Sequence, residues 1–231
     1  MKDKGFNPTD VLGDLTQVER KYAPARLFLS GDRSLLRLHP RVAIVGTRQA
    51  GPAALRRAAR LSRILVQHDA VVVSGLAAGV DAAAHRAAIA AGGRTIAVIG
   101  TPLDRSYPIE HAELQAEIAA RHLVVSQFPS GQKVGRWSFP ARNRTMALIA
   151  DASVIVEAGE SSGTLSHGWE ALRLKRPLLI MKSLVTERPD LKWTQEMIGH
   201  GAAILEDPQE LLDALATLRR SDSAPSTPTK R

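Results

Sequence analysis

The chain has 231 residues, 44% hydrophobic and 23% charged, with a net charge of +8, which is the composition of an ordinary globular protein. It contains no cysteine, which excludes a disulfide framework, thiolate metal ligands and a cysteine nucleophile. No apolar run approaches the roughly 20 residues of a membrane helix, and the N-terminus lacks the apolar core of a secretory signal, so we expect a cytoplasmic protein without a membrane partner.

The first 40 residues have little regular patterning. A short helix is expected after Asn7-Pro8, and 26–30 is a candidate edge strand. We therefore treat 1–40 as an N-terminal appendage, 41–220 as the main domain, and 221–231 as a disordered tail. The tail prediction rests on its Ser, Pro and Thr content.

From residue 41 onward, short apolar runs alternate with longer amphipathic stretches, as in successive β–α–β units. Strands are predicted at 41–46, 70–74, 94–99, 123–127, 153–157 and 177–181, with a weaker seventh at 202–205. Helices are predicted at 52–67, 80–91, 110–121, 141–150, 163–175, 193–199 and 208–219. The predicted fold class is α/β, a doubly wound, mostly parallel sheet of about six or seven strands with helices on both faces.

The positive charge is concentrated in two segments that have no acidic residue. Residues 33–68 contain eight arginines and residues 118–150 contain five cations, so the rest of the chain carries −5. Such segregation is typical of an anion-binding surface, although some clustering by chance is expected in an arginine-rich chain. Three of these arginines, Arg56, Arg60 and Arg63, share one face of the predicted helix 52–67 and are expected to form a solvated surface.

Ligands of open α/β sheets bind beyond the carboxyl ends of the strands, so the segments that follow them carry the candidate sites. Gly46, Thr47 and Arg48 follow the strand 41–46, where glycine permits a tight turn and the next helix offers N–H groups to an anion. Neither a dinucleotide fingerprint nor a P-loop is present. A dinucleotide or ATPase interpretation is therefore weak.

The segment after 70–74 contains Ser74, Gly75 and Gly79, which open a helix that Asp81 is expected to cap. Asp81 and His85 share a helical face, but the sequence offers no third ligand, so neither a metal site nor a cofactor is predicted. We expect His85 to be a hydrogen-bonded residue between two elements.

The segment after 123–127 interleaves cations with aromatic rings, a combination suited to single-stranded nucleic acid. Its candidate binding residues are Lys133, Arg136, Trp137, Phe139, Arg142, Asn143 and Arg144. Trp137 is a candidate base-stacking residue, whereas for Phe139 a core role is the stronger interpretation. We expect Arg48 and Arg142 to matter for binding and little for stability.

Ser162, Gly163 and Thr164 follow the strand 153–157 at a predicted helix start. Backbone N–H groups and hydroxyls in such a position can donate to a phosphate or a ribose. Ordinary helix capping is the alternative interpretation.

Five stretches in this order resemble the DNA-processing protein A (DprA or Smf) family: VAIVGTR, VVSGLAAGVDAAAH, GGRTIAVIGTPLDRSYPIEH, FPARNR and SVIVEAGESSGTL. The resemblance extends over residues 22–218. The chain departs from it at Met181-Lys182-Ser183, where typical members have Pro-Gly. Many members also carry an N-terminal helical domain and a C-terminal winged-helix domain, and we expect neither in this chain.

The resemblance implies a Rossmann-like domain that binds single-stranded DNA, protects it during natural transformation and helps load a RecA-type recombinase. It also implies a homodimer without known catalysis. Its binding positions map to Arg48, to Phe139, Arg142, Asn143 and Arg144, and to Ser162, Gly163 and Thr164.

Two alternatives share this fold. A lysine-decarboxylase-like or cytokinin-activating phosphoribohydrolase uses a catalytic Glu three residues after Gly-Thr, where this chain has His167, and Glu170 lies three residues further on. A nucleotide-sensing module would hold a small ligand in the same pocket. Two separate basic segments favour a polymer over a mononucleotide.

Overall fold

The computed structural model describes residues 4–160, 162–213 and 215. The strands are β1 (Gly5–Phe6), β2 (Leu27–Gly31), β3 (Arg41–Gly46), β4 (Val71–Ser74), β5 (Thr95–Ile99), β6 (Leu123–Ser126), β7 (Ala152–Glu157), β8 (Leu178–Met181) and β9 (Ala203–Leu205). All seven strands predicted after residue 40 are present, and the α/β fold class is confirmed.

The helices are α1 (Pro8–Leu12), α2 (Gln17–Tyr22), α3 (Pro52–Gln67), α4 (Val80–Ala90), α5 (Ala112–Arg121), α6 (Ser138–Ile149), α7 (Thr164–Arg173), α8 (Lys182–Glu187) and α9 (Lys192–Gly199). Helix α6 begins three residues before its predicted start, because Pro140 is tolerated in a first turn. Helix α8 was not predicted. Residues 208–213 are also helical, while the end of the helix predicted at 208–219 and the tail 221–231 lie outside the described residues.

All nine strands form one sheet, in the order β1-β2-β6-β5-β4-β3-β7-β8-β9. Strand β2 is antiparallel to both β1 and β6, and every other neighbouring pair is parallel. The prediction of an edge strand at 26–30 was wrong in position, because β1 pairs outside β2. The N-terminal residues thus extend the main sheet, while the domain boundary at residue 40 stays a prediction.

The sheet has a switch point between β3 and β7. From β3 the chain winds outward through β4, β5 and β6, and α6 then carries it back to β7 on the other side of β3. Connections that diverge in this way open a crevice at the carboxyl ends of the two strands.

Helices cover both faces of the sheet, and successive residues of β3 show the alternation. Val42 and Ile44 pack with Leu61 and other residues of α3 and α4, whereas Ala43 and Val45 belong to the core formed with α6 and α7. Burial on both faces explains the continuous apolar runs of the central strands. Within the described residues, no helix is both long and apolar enough to cross a membrane.

Candidate functional site

A cleft of about 520 Å³ lies at the switch point and is lined by all four segments singled out from the sequence. The segment after β3 contributes Arg48, the one after β4 contributes Ala77, α6 contributes Arg142, and the segment after β7 contributes Thr164. The prediction that these distant segments meet at one edge of the sheet is thereby confirmed. The geometry follows from parallel strands, whose carboxyl ends all face the same way.

Two glycines allow the loops after β3 and β4 to touch. A Cβ on Gly46 would lie 2.5 Å from a methyl carbon of Val80, and a Cβ on Gly79 would lie 2.3 Å from the carbonyl oxygen of Thr47. Gly79 also has a φ of +77°, which disfavours any other residue. These glycines bring the two loops together and thereby shape the wall of the cleft.

Arg142 forms part of the cleft floor and is only 5% exposed. Its Nη1 donates to the carbonyl oxygen of Val98 at 2.9 Å and to that of Gly75. A Cβ on Gly75 would occupy the position of this guanidinium, and the nearby Ser74 is buried with its Oγ donating to Ile44 O at 2.6 Å. The structure therefore gives Arg142 a packing role, contrary to the expectation that it adds little to stability.

Asp81 faces the same buried guanidinium and does not cap α4, whose N-cap is Gly79. Burial raises the pKa of Asp81, while the charge of Arg142 acts against that rise. His85 joins two elements as expected, because its Nδ1 is 2.7 Å from Thr95 Oγ1, but its buried Nε2 has no hydrogen-bond partner among the described residues, so the expectation of a fully satisfied histidine is confirmed only in part. Burial lowers the pKa of His85 to about 3. Among the described residues, no group of three or more acidic or histidine side chains could hold a metal ion.

Arg48 stands at the rim of the cleft and is exposed. Its guanidinium carbon lies 5.1 Å from the ring centroid of Phe139, a cation–π contact that leaves the charge open to an anion. The Phe139 ring is half-buried, and a Cβ on Gly100 would lie 2.8 Å from it. Phe139 therefore fills a recess as the core interpretation expected, and it also supports the arginine.

The segment between β6 and α6 leads into Phe139 with exposed cations and an exposed ring, although Lys133, Arg136 and Trp137 do not themselves line the cleft. Lys133 and Arg136 are exposed, and no acidic side chain in the described part of the chain forms an ion pair with them or with Arg48. Trp137 is 55% exposed and meets Phe128 edge-on at 5.5 Å. One face of the Trp137 side chain thus stays open to a ligand.

Two neighbours of Arg142 on α6 point in different directions. Asn143 faces the cleft, where its Nδ2 donates to Gly163 O at 3.0 Å and Ser166 Oγ at 2.6 Å. Arg144 turns away from it, with its Nε 3.3 Å from Glu170 and its guanidinium 5.8 Å from the Tyr22 ring. The structure does not bring Arg144 to the cleft, because successive residues of a helix differ by about 100° in direction.

The segment Ser162–Thr164 lines the cleft, but much of its hydrogen-bonding capacity is used locally. Thr164 N–H donates to Ser162 Oγ at 3.2 Å, and Ser162 N–H donates to Gly159 O at 3.1 Å. After β3, the N–H of Thr47 likewise donates to Glu157 O at 2.7 Å. The exposed side chains at the rim therefore supply more open donors than these backbone turns.

His167 and Glu170 bear on the phosphoribohydrolase alternative. His167 borders the cleft, with Nε2 2.9 Å from Ser153 Oγ, and burial lowers its pKa to about 4. Glu170 lies outside the cleft lining and is paired with Arg144 and Arg173. Within the described residues, the lining of the cleft contains no glutamate.

Sequence reasoning gave no site role to three residues at this edge: Asp81, expected only as a cap, and His167, considered only for the alternative enzyme, line the cleft, and Tyr107 lies beside Phe139, 5.2 Å away between ring centroids. Tyr107 had a usable signal, because it follows the predicted strand 94–99, whose carboxyl end falls on the same edge. The burial of the other two depends on contacts with distant elements.

The doubly wound sheet, with a crevice at its switch point and the exposed Arg48 at the rim, defines a Rossmann-like domain. Residues 9–216 match the model of the DNA recombination-mediator protein A family, and the chain belongs to this family. It is 37% identical to Protein Smf of Synechocystis over 78% of this chain, and it spans 45% of that relative's length.

Two solved structures are similar over most of the chain. DNA processing protein A of Streptococcus pneumoniae superposes with a TM-score of 0.79 and 31% identity, over 92% of this chain and 74% of that one. DNA processing protein A of Helicobacter pylori, whose structure concerns its mode of binding single-stranded DNA, gives 0.75 and 29%, over 96% of each chain.

Proposed function

We propose that this chain is a single-stranded DNA-binding protein of DNA processing and recombination. The observation that carries the proposal is the contact of Arg48 with Phe139 at the cleft, together with the exposed Lys133, Arg136 and Trp137 in the segment that leads into Phe139 and α6. Unpaired cations attract phosphates, and open aromatic rings accept unpaired bases. The Helicobacter pylori relative that binds single-stranded DNA shares this fold along almost its whole length.

The placement of the cations suits the binding of a single strand better than the recognition of a duplex. They lie on loops around a crevice, whereas duplex readers commonly place a helix or a ribbon in the major groove. Trp137 presents an exposed ring, which stacks on a base only where that base is unpaired. We therefore expect preference for single strands with little dependence on base sequence.

The wider role follows the family. We propose that the protein works by binding and not by catalysis, protects single strands, hands them to a RecA-type recombinase, and acts as a homodimer in the cytoplasm. Support for the absence of catalysis comes from Glu170, which is held by two arginines away from the cleft.

A nucleotide-sensing role is the second candidate, because the cleft volume of about 520 Å³ is in the range of small-molecule sites. Its natural occupant would be a nucleoside monophosphate contacting Arg48 and Thr164. Binding of AMP and of an oligonucleotide, measured separately, distinguishes the two roles. Tight AMP binding without oligonucleotide binding favours the sensor.

The test is a titration of labelled oligo-dT, of a duplex of equal length and of AMP, each at two salt concentrations. We expect oligo-dT to bind most tightly and Arg48→Ala to weaken it about tenfold, with a salt slope smaller by about 0.7. Arg63→Ala is the matched control, because Arg63 is an exposed arginine of α3 that does not line the cleft. Equal losses of oligo-dT affinity in Arg48→Ala and Arg63→Ala would show that the cleft is not part of the binding site.

A further inference from the structure

The connection after β5, residues 100–111, borders the cleft but belongs to none of the binding segments described above. It carries Tyr107, which is 47% exposed. We propose that Tyr107 is a base-stacking residue that holds an unpaired nucleobase beside the phosphate bound at Arg48. This inference rests on the proposed function and adds a residue to that site.

Three side chains form a continuous row. The guanidinium of Arg48 lies 5.1 Å from the centroid of Phe139, and that centroid lies 5.2 Å from the ring of Tyr107 at an interplanar angle of 46°. All three line one small recess together with Gly100 and Pro108. A phosphate paired with Arg48 therefore places its nucleoside over the rings of Phe139 and Tyr107.

The accessibility of the two rings differs. Phe139 is half-buried between Arg48, Gly100 and Tyr107, so most of its surface is already in contact. Tyr107 contacts Phe139 on one side and leaves nearly half of its surface open. An aromatic side chain with this much exposed area beside an anion site is suited to stack on a base.

The charge of the connection indicates that its contribution to DNA binding is not electrostatic. Residues 100–110 contain Asp104, Arg105 and Glu110, so this stretch carries no net positive charge. Loss of the Tyr107 ring should therefore lower affinity without changing the number of phosphates neutralised. The salt dependence of binding separates this effect from the loss of an arginine.

The experiment compares oligo-dT with an abasic oligomer of the same length, using fluorescence anisotropy at several salt concentrations. Tyr107→Ala should weaken oligo-dT binding about fivefold or more, with an unchanged salt slope, and should bind the abasic oligomer as the wild type does. Tyr107→Phe keeps the ring and should stay within twofold of the wild type. Ile109→Ala, an exposed apolar truncation in the same connection but outside the recess, is the matched control.

Equal losses on both oligomers, or wild-type affinity of Tyr107→Ala for oligo-dT, would overturn the role of Tyr107. A urea midpoint equal to that of the wild type shows that Tyr107→Ala is folded, and Tyr107→Leu, which removes the ring but keeps an apolar side chain, carries the test if it is not. Wild-type protein that fails to bind oligo-dT overturns both this inference and the proposed function. If Arg48→Ala weakens both oligomers while Tyr107→Ala weakens neither, only the inference fails.

Discussion

The arginines at the two ends of strand β3 differ in burial and in pairing. Arg41 begins the strand, is 3% exposed, and has its Nη2 3.0 Å from Asp151 Oδ1. Arg48 follows the strand by two residues, is exposed, and has no acidic partner in the described part of the chain. Both come from the same acid-free segment, 33–68. The comparison shows that the charge of the surrounding sequence does not decide the role of an arginine. An arginine is structural where the fold brings a carboxylate to it, and it is free to bind a ligand where the fold does not.

At the amino end of β3 the charges neutralise one another. Asp151 accepts from Arg41 and lies 2.8 Å from His39 Nδ1 and 3.5 Å from Arg176, which also pairs with Glu19 of α2. Burial acts to raise the pKa of Asp151, but the hydrogen bonds and charges of His39 and Arg41 outweigh it and bring the pKa to about 2. This network joins the N-terminal helices to the main sheet.

The largest effect is expected at that end of the strand. Asp151→Asn leaves the buried Arg41 guanidinium without its counter-charge, so the free energy of unfolding should fall by about 3–5 kcal/mol. The measurement is the urea midpoint. Asp190→Asn, which breaks an exposed pair with Arg188, is the control and should leave the midpoint unchanged. The oligo-dT affinity of folded Asp151→Asn should match that of the wild type. A loss of affinity in the folded variant would contradict the assignment of a purely structural role to this end of β3.

Arg142 sharpens the comparison because it is buried at the end of the sheet where Arg48 is open. Arg142→Met leaves the carbonyl groups of Gly75 and Val98 unpaired and Asp81 without its neighbouring charge. We expect a loss of roughly 2–3 kcal/mol in the free energy of unfolding. The control is Arg144→Met, whose side chain is 44% exposed. Similar urea midpoints for the two variants would show that burial of Arg142 does not stabilise the fold.

The third expected effect is a dependence of stability on acid pH. The pKa of Asp151 is about 2 in the folded protein against an ordinary 3.8, so its stabilising contribution is complete above about pH 4 and is lost as the pH falls through about 2. The contribution is about 2 kcal/mol. Urea unfolding of the wild type and of Asp151→Asn between pH 5 and pH 2 checks it. Parallel pH profiles for the two proteins would contradict this assignment.

Several details of the fold escaped sequence reasoning for identifiable reasons. Strand β1 has two residues and helix α8 has six, and both are too short to show a period. The position of β2 inside the sheet depends on pairing with β6, a partner almost a hundred residues away. No local pattern encodes such pairing.

The candidate site was predictable to the extent that topology alone brings segments together. Arg48 lies at the rim, where strand order and charge placed it, whereas Trp137 is exposed but does not line the cleft. Nothing in the sequence assigned different roles to Arg142 and Arg144, which are two positions apart. One became a buried donor to carbonyl groups and the other a surface partner of Glu170, because α6 directs them to different neighbours.

The amino-acid sequence by itself determined the strands from residue 41 onward, the doubly wound class and the edge where the cleft lies, because these follow from hydrophobic period and from the common direction of parallel strands. The tertiary structure alone decided which cations meet a carboxylate. Burial separates Arg41 and Arg142 from Arg48, because removing a charge from water is tolerated only where partners replace the water. Those partners come from Asp151, Gly75 and Val98, residues remote in sequence from the arginines they hold.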